Sequence, residues 1–324
     1  MLRESIQPSE FGAQFHQGEF EKIYKQTTKE FQNLITFEQF QELAASFNAG
    51  VAHYELELST TIDHTVQYLW LDQSNEKAIH VSFDQNGMIQ SLYLKPYITY
   101  PASDKRFTKN SYIMPIKGDW FVFWGGTNEL INYHYAYENQ RYAYDLVQVK
   151  DGASFKETRL RNENFYAFNQ EIVSPAAGKV VKVIDGLKDN TPGEMDAEHP
   201  AGNYVVIEHD HKEYSMLAHL QKHSIEVREG ETVTEGQCIG RCGNSGNSSE
   251  PHLHFQVMDS PDFYKGTSIR IRFKDGLEPI QGETVSAYIP PKSTAAEKVD
   301  KVDTALTIGE ILLFIPRLVG QFFK

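Results

Sequence analysis

The chain has 324 residues, 40 % of them hydrophobic and 12 % aromatic, with 17 Tyr and 20 Phe. That is enough apolar matter for real cores and more length than one average domain uses, which excludes a disordered or fibrous chain. A formal charge of −13 argues against a nucleic-acid partner, because phosphate binding needs a surplus of Lys and Arg on some face.

The first ten residues contain no apolar run of the signal-peptide kind, so the cytoplasm is the default location. The cell envelope or the extracellular space would need another export route. Residues 10–50 predict two helices. In the first, Phe20, Ile23, Tyr24, Thr27, Phe31 and Leu34 recur at helical spacing. The second opens on Thr36-Phe37-Glu38-Gln39, a capping-box pattern, and ends at Asn48-Ala49-Gly50. Its apolar face is Phe37, Phe40, Leu43, Ala44 and Phe47.

The period then changes to two, at Tyr54-Leu56-Leu58, Val66-Tyr68-Trp70 and Ile79-Val81-Phe83. Asn86-Gly87 predicts a hairpin into a further strand, Met88 to Leu94. Residues 1–96 therefore read as a small α+β domain, two helices on an antiparallel sheet. Its order resembles cystatin-like or nuclear-transport-factor-like cone domains. His16, His53, His64 and His80 are scattered through it as surface or strand residues.

Pro96, Pro101, Ser103, Asp104 and Lys105 break the pattern, so residues 97–111 read as a linker. Residues 112–288 are strand and turn throughout, an antiparallel sandwich or half-barrel. A polar loop at 186–201 is expected to overhang one end of its sheet. Cys238 and Cys242 are the only cysteines, and four extended steps part them by ~13 Å, too far for a disulfide. Both read as small apolar residues. Residues 289–324 are a polar linker and an apolar C-terminal helix. Glu310, Pro316 and Arg317 interrupt the helix, so peripheral membrane contact through 306–323, or docking on protein, suits it better than a transmembrane span.

The chemistry concentrates in the second half. Pro251-His252-Leu253-His254-Phe255 places two histidines on one face of a strand, with Leu253 and Phe255 turned to the core. Ser215-Met216-Leu217-Ala218-His219-Leu220 is a second histidine strand, with Leu217 and His219 expected on one face. Asp145 stands in an apolar strand end, and His134 lies a turn upstream. A carboxylate there is costly unless it is paired or metal-bound. Two histidines and an aspartate around one cation are the usual donor set of a catalytic zinc site. His199, His209, His211 and His223 read as solvated turn residues.

The order His134…Asp145, then Ala218-His219-Leu220, then Gly243-Asn244-Ser245-Gly246…Pro251-His252-Leu253-His254-Phe255 resembles the lysostaphin/LytM-type zinc metallopeptidases. The strand patterns 174–181, 202–209 and 227–240 resemble that family too. The resemblance implies a β-rich hydrolase with Zn²⁺ as cofactor, cutting peptide cross-bridges or stem peptides of peptidoglycan. It implies metal ligands at His134, Asp145 and His254, and catalytic histidines at His219 and His252. One departure stands out: relatives commonly place the first His four residues before the Asp, where this chain has Arg141. Two alternatives stay open, a catalytically silent relative that binds wall peptides or activates a partner hydrolase, and a zinc hydrolase acting on peptides inside the cell.

Overall fold

The computed structural model describes residues 5–62 and 65–289. The expected C-terminal helix and its membrane contact lie outside the described residues, as does His64. No helix among the described residues is long and apolar enough to cross a membrane.

The N-terminal helices are shorter and more numerous than their periodicity suggests. They are α1 (Phe11–His16), α2 (Phe20–Lys25), α3 (Lys29–Leu34) and α4 (Phe37–Asn48). The single helix expected through Phe20 and Leu34 breaks at Gln26-Thr27-Thr28. There Thr28 N donates to Ile89 O, and Ile89 N donates to Gln26 O, each at 2.9 Å. Strand-like pairing wins because two β-branched threonines hold a helix poorly, and Thr28 caps α3 through its side chain instead. Leu34 and Leu43, both expected on apolar faces, are exposed. The capping box of α4 forms as expected: Gln39 N donates to Thr36 Oγ1, and Thr36 N donates to Gln39 Oε1.

Four strands follow as an antiparallel meander, β1 (Tyr54–Ile62), β2 (Thr65–Asp72), β3 (Lys77–Phe83) and β4 (Ile89–Pro96). Asp84 Oδ1 accepts from Asn86 N and Met88 N at 2.8 Å each, which closes the hairpin between β3 and β4. The buried faces of helices and sheet share one core, with Phe11, Phe15, Phe20, Trp70, Val81 and Phe83.

After the short helix α5 (Pro101–Asp104) the remaining elements are strands and one-turn 3-10 helices. The strands are β5 (Asp119–Trp124), β6 (Tyr144–Val147), β7 (Glu171–Val173), β8 (Gly178–Ile184), β9 (Asn203–His209), β10 (Glu213–Leu220), β11 (Thr232–Val233), β12 (Cys238–Arg241), β13 (Leu253–Met258) and β14 (Thr284–Ser286). Eight of them form one antiparallel sheet in the order β11-β8-β9-β10-β13-β6-β5-β14, and β12 pairs with β7. One face of the large sheet packs on this small ribbon, burying Trp120, Leu146, Leu217, Leu253 and Phe255 with Ile172 and Ile239. The opposite face carries Ala218, Met216 and Met258, in a smaller apolar cluster. Up to Tyr288 the chain forms one unit. Both cysteines are free thiols, Cys242 buried and Cys238 half-buried.

Two isolated histidines are buried, and for His209 this departs from its reading as a solvated turn residue. His209 is buried rather than solvated: Nδ1 bonds Ala177 O at 2.8 Å, and Nε2 bonds Ser215 Oγ at 2.7 Å. His80 in β3 is also buried, with Nε2 3.1 Å from Gln67 Oε1, and burial lowers its pKa to about 4 from 6.5. The unfolded chain therefore takes up a proton at His80 first as the pH falls. The resulting stability is complete above 6.5 and is lost between 6.5 and about 4, on the order of 3 kcal/mol for this residue. In thermal melts across that window, His80→Gln is expected to lose stability less steeply with acid than the parent chain. Parallel curves would disprove this account of His80.

Candidate metal centre

The site lies on the second face of the large sheet and is built from cross-strand neighbours. Asp145 in β6 is the register partner of His254 in β13, and His254 is in turn the partner of Ala218 in β10. Directly opposed residues bring their side chains together on one face. Asp145 Oδ1 lies 2.9 Å from His254 Nδ1, and Asp145 Oδ2 lies 2.9 Å from His134 Nε2. His134 comes from a one-turn 3-10 helix, Tyr133–Ala136, rather than from a strand. Asn132, fully buried, shapes that turn. Its Oδ1 accepts from His134 N, and its Nδ2 donates to Gly126 O and Ala143 O. One donor atom each from His134, Asp145 and His254 lie within 4.8 Å of one another, and all three residues are buried.

The strand carrying His219 departs from strict alternation. A bulge between Leu217 and Leu220 sends both leucines into the main core. His219 does not share the face of Leu217; it lies on the opposite side, with its ring 4.6 Å from that of His252 and 5.9 Å from that of His254. Its φ is +62°, in the left-handed region that bulky residues avoid. Three bonds hold it there: His219 N to Ala201 O, Gly243 N to His219 O, and Nδ1 to Ser245 O at 2.8 Å. A bulge that re-aims one side chain is a common device beside active sites.

Hydrogen bonding sets three ring tautomers. Ser245 O accepts only, so His219 donates from Nδ1 and its Nε2 is bare. His252 donates from Nδ1 to Glu250 O at 2.9 Å, leaving Nε2 bare, 3.8 Å from Asp145 Oδ1. Gln256 gives its amide N–H to Asn139 O, so its Oε1 must accept from His254 Nε2 at 2.9 Å. His254 Nδ1 then faces a carboxylate oxygen, lone pair to lone pair, unless a proton or a metal ion sits between them. The residues thus fit a cation: two imidazole nitrogens and a carboxylate converge, and one histidine is turned by its outer partner to present a lone pair.

The electrostatics agree. Burial alone would raise the Asp145 carboxyl, but His134 and His252 beside it and the bonds from His134 and His254 hold it well below the ordinary carboxylate range. Burial opposes charge on His254, yet its bond to Asp145 and that residue's charge, with Gln256 accepting, raise its pKa. Burial lowers His134 despite Asp145. Burial, then the neighbouring His252 and His254, push the pKa of His219 well below 6.5.

A cleft of about 700 Å³ opens over the cluster, lined among others by Phe121, Trp124, Tyr133, Met195 and His252, and by Ile62 at the end of β1. The loop 186–201 supplies Met195 and is tied down by Asn190, whose Nδ2 donates to Gly246 O and Ser248 O. All five residues expected from sequence at the site are brought together. Gln256 and Asn132 were not anticipated; the only sequence signal for Gln256 is its place two residues after His254, on the same strand face.

Beside Ser245 two backbones cross. A Cβ at Gly246 would lie 2.3 Å from Gly202 N, and φ there is +81°. Gly246→Ala is expected to destabilise the chain by roughly 1–3 kcal/mol from backbone strain alone, whereas Asn247→Ala, at an exposed position, should stay within ~0.5 kcal/mol. Equal urea midpoints for the two variants would contradict the crossing.

Residues 164–271 match the profile described as Peptidase family M23. That stretch includes His219, His252 and His254; His134 and Asp145 lie upstream of it. The peptidoglycan DD-endopeptidase ShyA of Vibrio cholerae is 45 % identical over 91 residues, 26 % of this chain and 21 % of that protein. Lysostaphin of Staphylococcus simulans is 42 % identical over 82 residues, 25 % of this chain and 16 % of that protein. The chain thus spans about a fifth or less of the length of these relatives. Among solved structures, the lysostaphin catalytic domain from Staphylococcus simulans aligns with 39 % of this chain and 73 % of its own, at 21 % identity and a TM-score of 0.25. A zinc containing peptidase from Vibrio cholerae aligns with 64 % of this chain and 55 % of its own, at 17 % identity and a TM-score of 0.27. By its sequence match, the chain carries a peptidase family M23 domain at residues 164–271, with lysostaphin and a peptidoglycan DD-endopeptidase among its relatives.

Proposed function

We propose that this chain is a zinc-dependent endopeptidase that hydrolyses peptide bonds of peptidoglycan, in cross-bridges or stem peptides. The observation that carries the reading is the pairing of a His–Asp–His donor set with two histidines whose Nε2 atoms are bare, under one open cleft. The names of the relatives support the substrate class. A wall substrate lies outside the cytoplasm, so the reading includes work in the cell envelope.

His134, Asp145 and His254 would hold the cation. When bound, zinc polarises the scissile carbonyl and lowers the pKa of a water toward 7. His219 and His252 do the proton work. Each keeps its Nδ1 proton on a backbone carbonyl, so each can take a proton at Nε2 and return it to the leaving amine. The carbonyl partners Ser245 O and Glu250 O also stop the rings from flipping. The apolar walls given by Phe121 and Trp124 limit water around the reacting bond.

The purified chain is expected to contain about one zinc per molecule. His134→Ala, Asp145→Ala and His254→Ala should each lose most of it, since two protein ligands hold zinc poorly. Full occupancy in any of them would overturn that ligand assignment. His219→Ala and His252→Ala should keep zinc and lose on the order of 10²–10⁴-fold in turnover. Digestion of purified peptidoglycan, with fragments read by mass spectrometry, tests the substrate. Intact wall beside a zinc-loaded protein would favour a silent binding domain.

A further inference from the structure

The loop between the two upstream donors is long: His134 and Asp145 are eleven positions apart. Such a loop needs bracing if His134 is to stand at one point in space. Asn132 braces it from within. The stretch read from sequence as a linker braces it from outside. Asp104, at the end of α5, accepts from Tyr135 OH at 2.9 Å on Oδ2 and from Tyr142 OH at 2.8 Å on Oδ1. Tyr100 N donates to Tyr135 OH at 2.9 Å. The Arg141 guanidinium lies 3.6 Å from the centre of the Tyr100 ring, and Arg141 Nε donates to Tyr135 O at 3.1 Å. Asp104 is itself held, its carbonyl accepting from Arg270.

Tyr135 directly follows His134, and Tyr142 stands three residues before Asp145. One carboxylate therefore grips both arms of the loop. Burial pushes the Tyr142 hydroxyl up to about 12, so it remains a donor at neutral pH. The same clamp accounts for Arg141. Although it occupies the place where relatives commonly put a ligand, its charge is spent on Tyr100 and Tyr135 O.

We infer that Asp104 is a positioning residue for the metal site, acting through Tyr135 and Tyr142 to hold His134 at coordinating distance from Asp145; this rests on the metal reading above. Asp104 touches neither cation nor substrate. Its effect is on where the first donor stands, and so on metal affinity and ligand field rather than on the chemistry directly. Residues that orient metal ligands typically change affinity by about 10- to 100-fold when removed.

The test is the Zn²⁺ dissociation constant of the full chain, measured by competition with a chromophoric chelator, together with the visible spectrum of the Co²⁺-substituted protein. Asp104→Asn is expected to weaken zinc about tenfold and to shift the Co²⁺ bands. Asp104→Glu, which keeps the charge and both acceptors, should recover most of the affinity. Tyr135→Phe and Tyr142→Phe keep their rings and lose only the hydroxyl, so they carry the test if Asp104→Asn does not fold; each should weaken zinc severalfold. Thr36→Ala, a remote cap variant, controls for general loss of stability and should leave zinc affinity unchanged. Asp104 and tyrosine variants that melt earlier but bind zinc and show Co²⁺ bands like the parent would reduce the clamp to ordinary packing and overturn the inference. A parent chain that binds no zinc would instead sink the metal reading, and this inference with it.

Discussion

Asp145 is a carboxylate in the middle of a sheet, 4 % exposed, with apolar neighbours before and after it in its strand. Burying such a charge is strongly unfavourable unless other groups satisfy it. The surrounding donors follow from that demand. His254 meets it across the strand pair, His134 reaches it from a helical turn, and His252 stands just beyond hydrogen-bond distance. Each of these histidines is then oriented by a group of its own, or by the turn that carries it. Gln256, Glu250 O and Asn132 are those partners. A cation at the centre would complete the same network that the carboxylate begins.

The fold meets the demand with irregular backbone. Bulges interrupt β5 between Val122 and Trp124 and β10 between Leu217 and Leu220, the two strands that flank the β13–β6 pair. The second bulge lets Leu217 and Leu220 both reach the core while His219 turns to the opposite face, beside His252 and His254. The positive φ of His219 has a cost, and the well-packed surroundings offset it: the sheet to one side, and the Gly202–Gly246 crossing to the other. Strain held in place by packing also limits motion. The ring of so constrained a residue presents its Nε2 in one direction.

The first half of the chain takes part in the site's surroundings. The end of β1 reaches the cleft through Thr61 and Ile62, and Thr60 packs where a side chain on Gly282 would otherwise lie. Segment 97–111 bonds to the sheet through Glu213, whose carboxylate accepts from Lys109 N, Asn110 N and Asn110 Nδ2. The same segment holds the His134 loop through Asp104. Site and scaffold are therefore joined at several points remote in sequence.

Much of this was legible in the residues alone. The change of period from helix to strand near residue 50, the capping box at Thr36, the Asn86-Gly87 hairpin and the histidine strands are local signals, written in side-chain spacing and turn chemistry. They sufficed for the α+β then β architecture and for His219, His252 and His254 as candidates, whereas His134 and Asp145 stand out as ligands through the resemblance to lysostaphin/LytM-type peptidases. Other features were decided only by tertiary structure. Thr27 and Thr28 leave the helix because β4 offers them partners, and Leu34 and Leu43 are exposed because the helices turn those faces outward. His209 is buried because Ala177 and Ser215 satisfy both its nitrogens. The faces of Leu217 and His219 part because a bulge resets the alternation, and no spacing rule announces a bulge. Asp104 looked like linker because its partners lie 31 and 38 residues away. Local preference acts over a few residues, whereas burial, pairing and strain are settled by whatever the folded chain brings alongside.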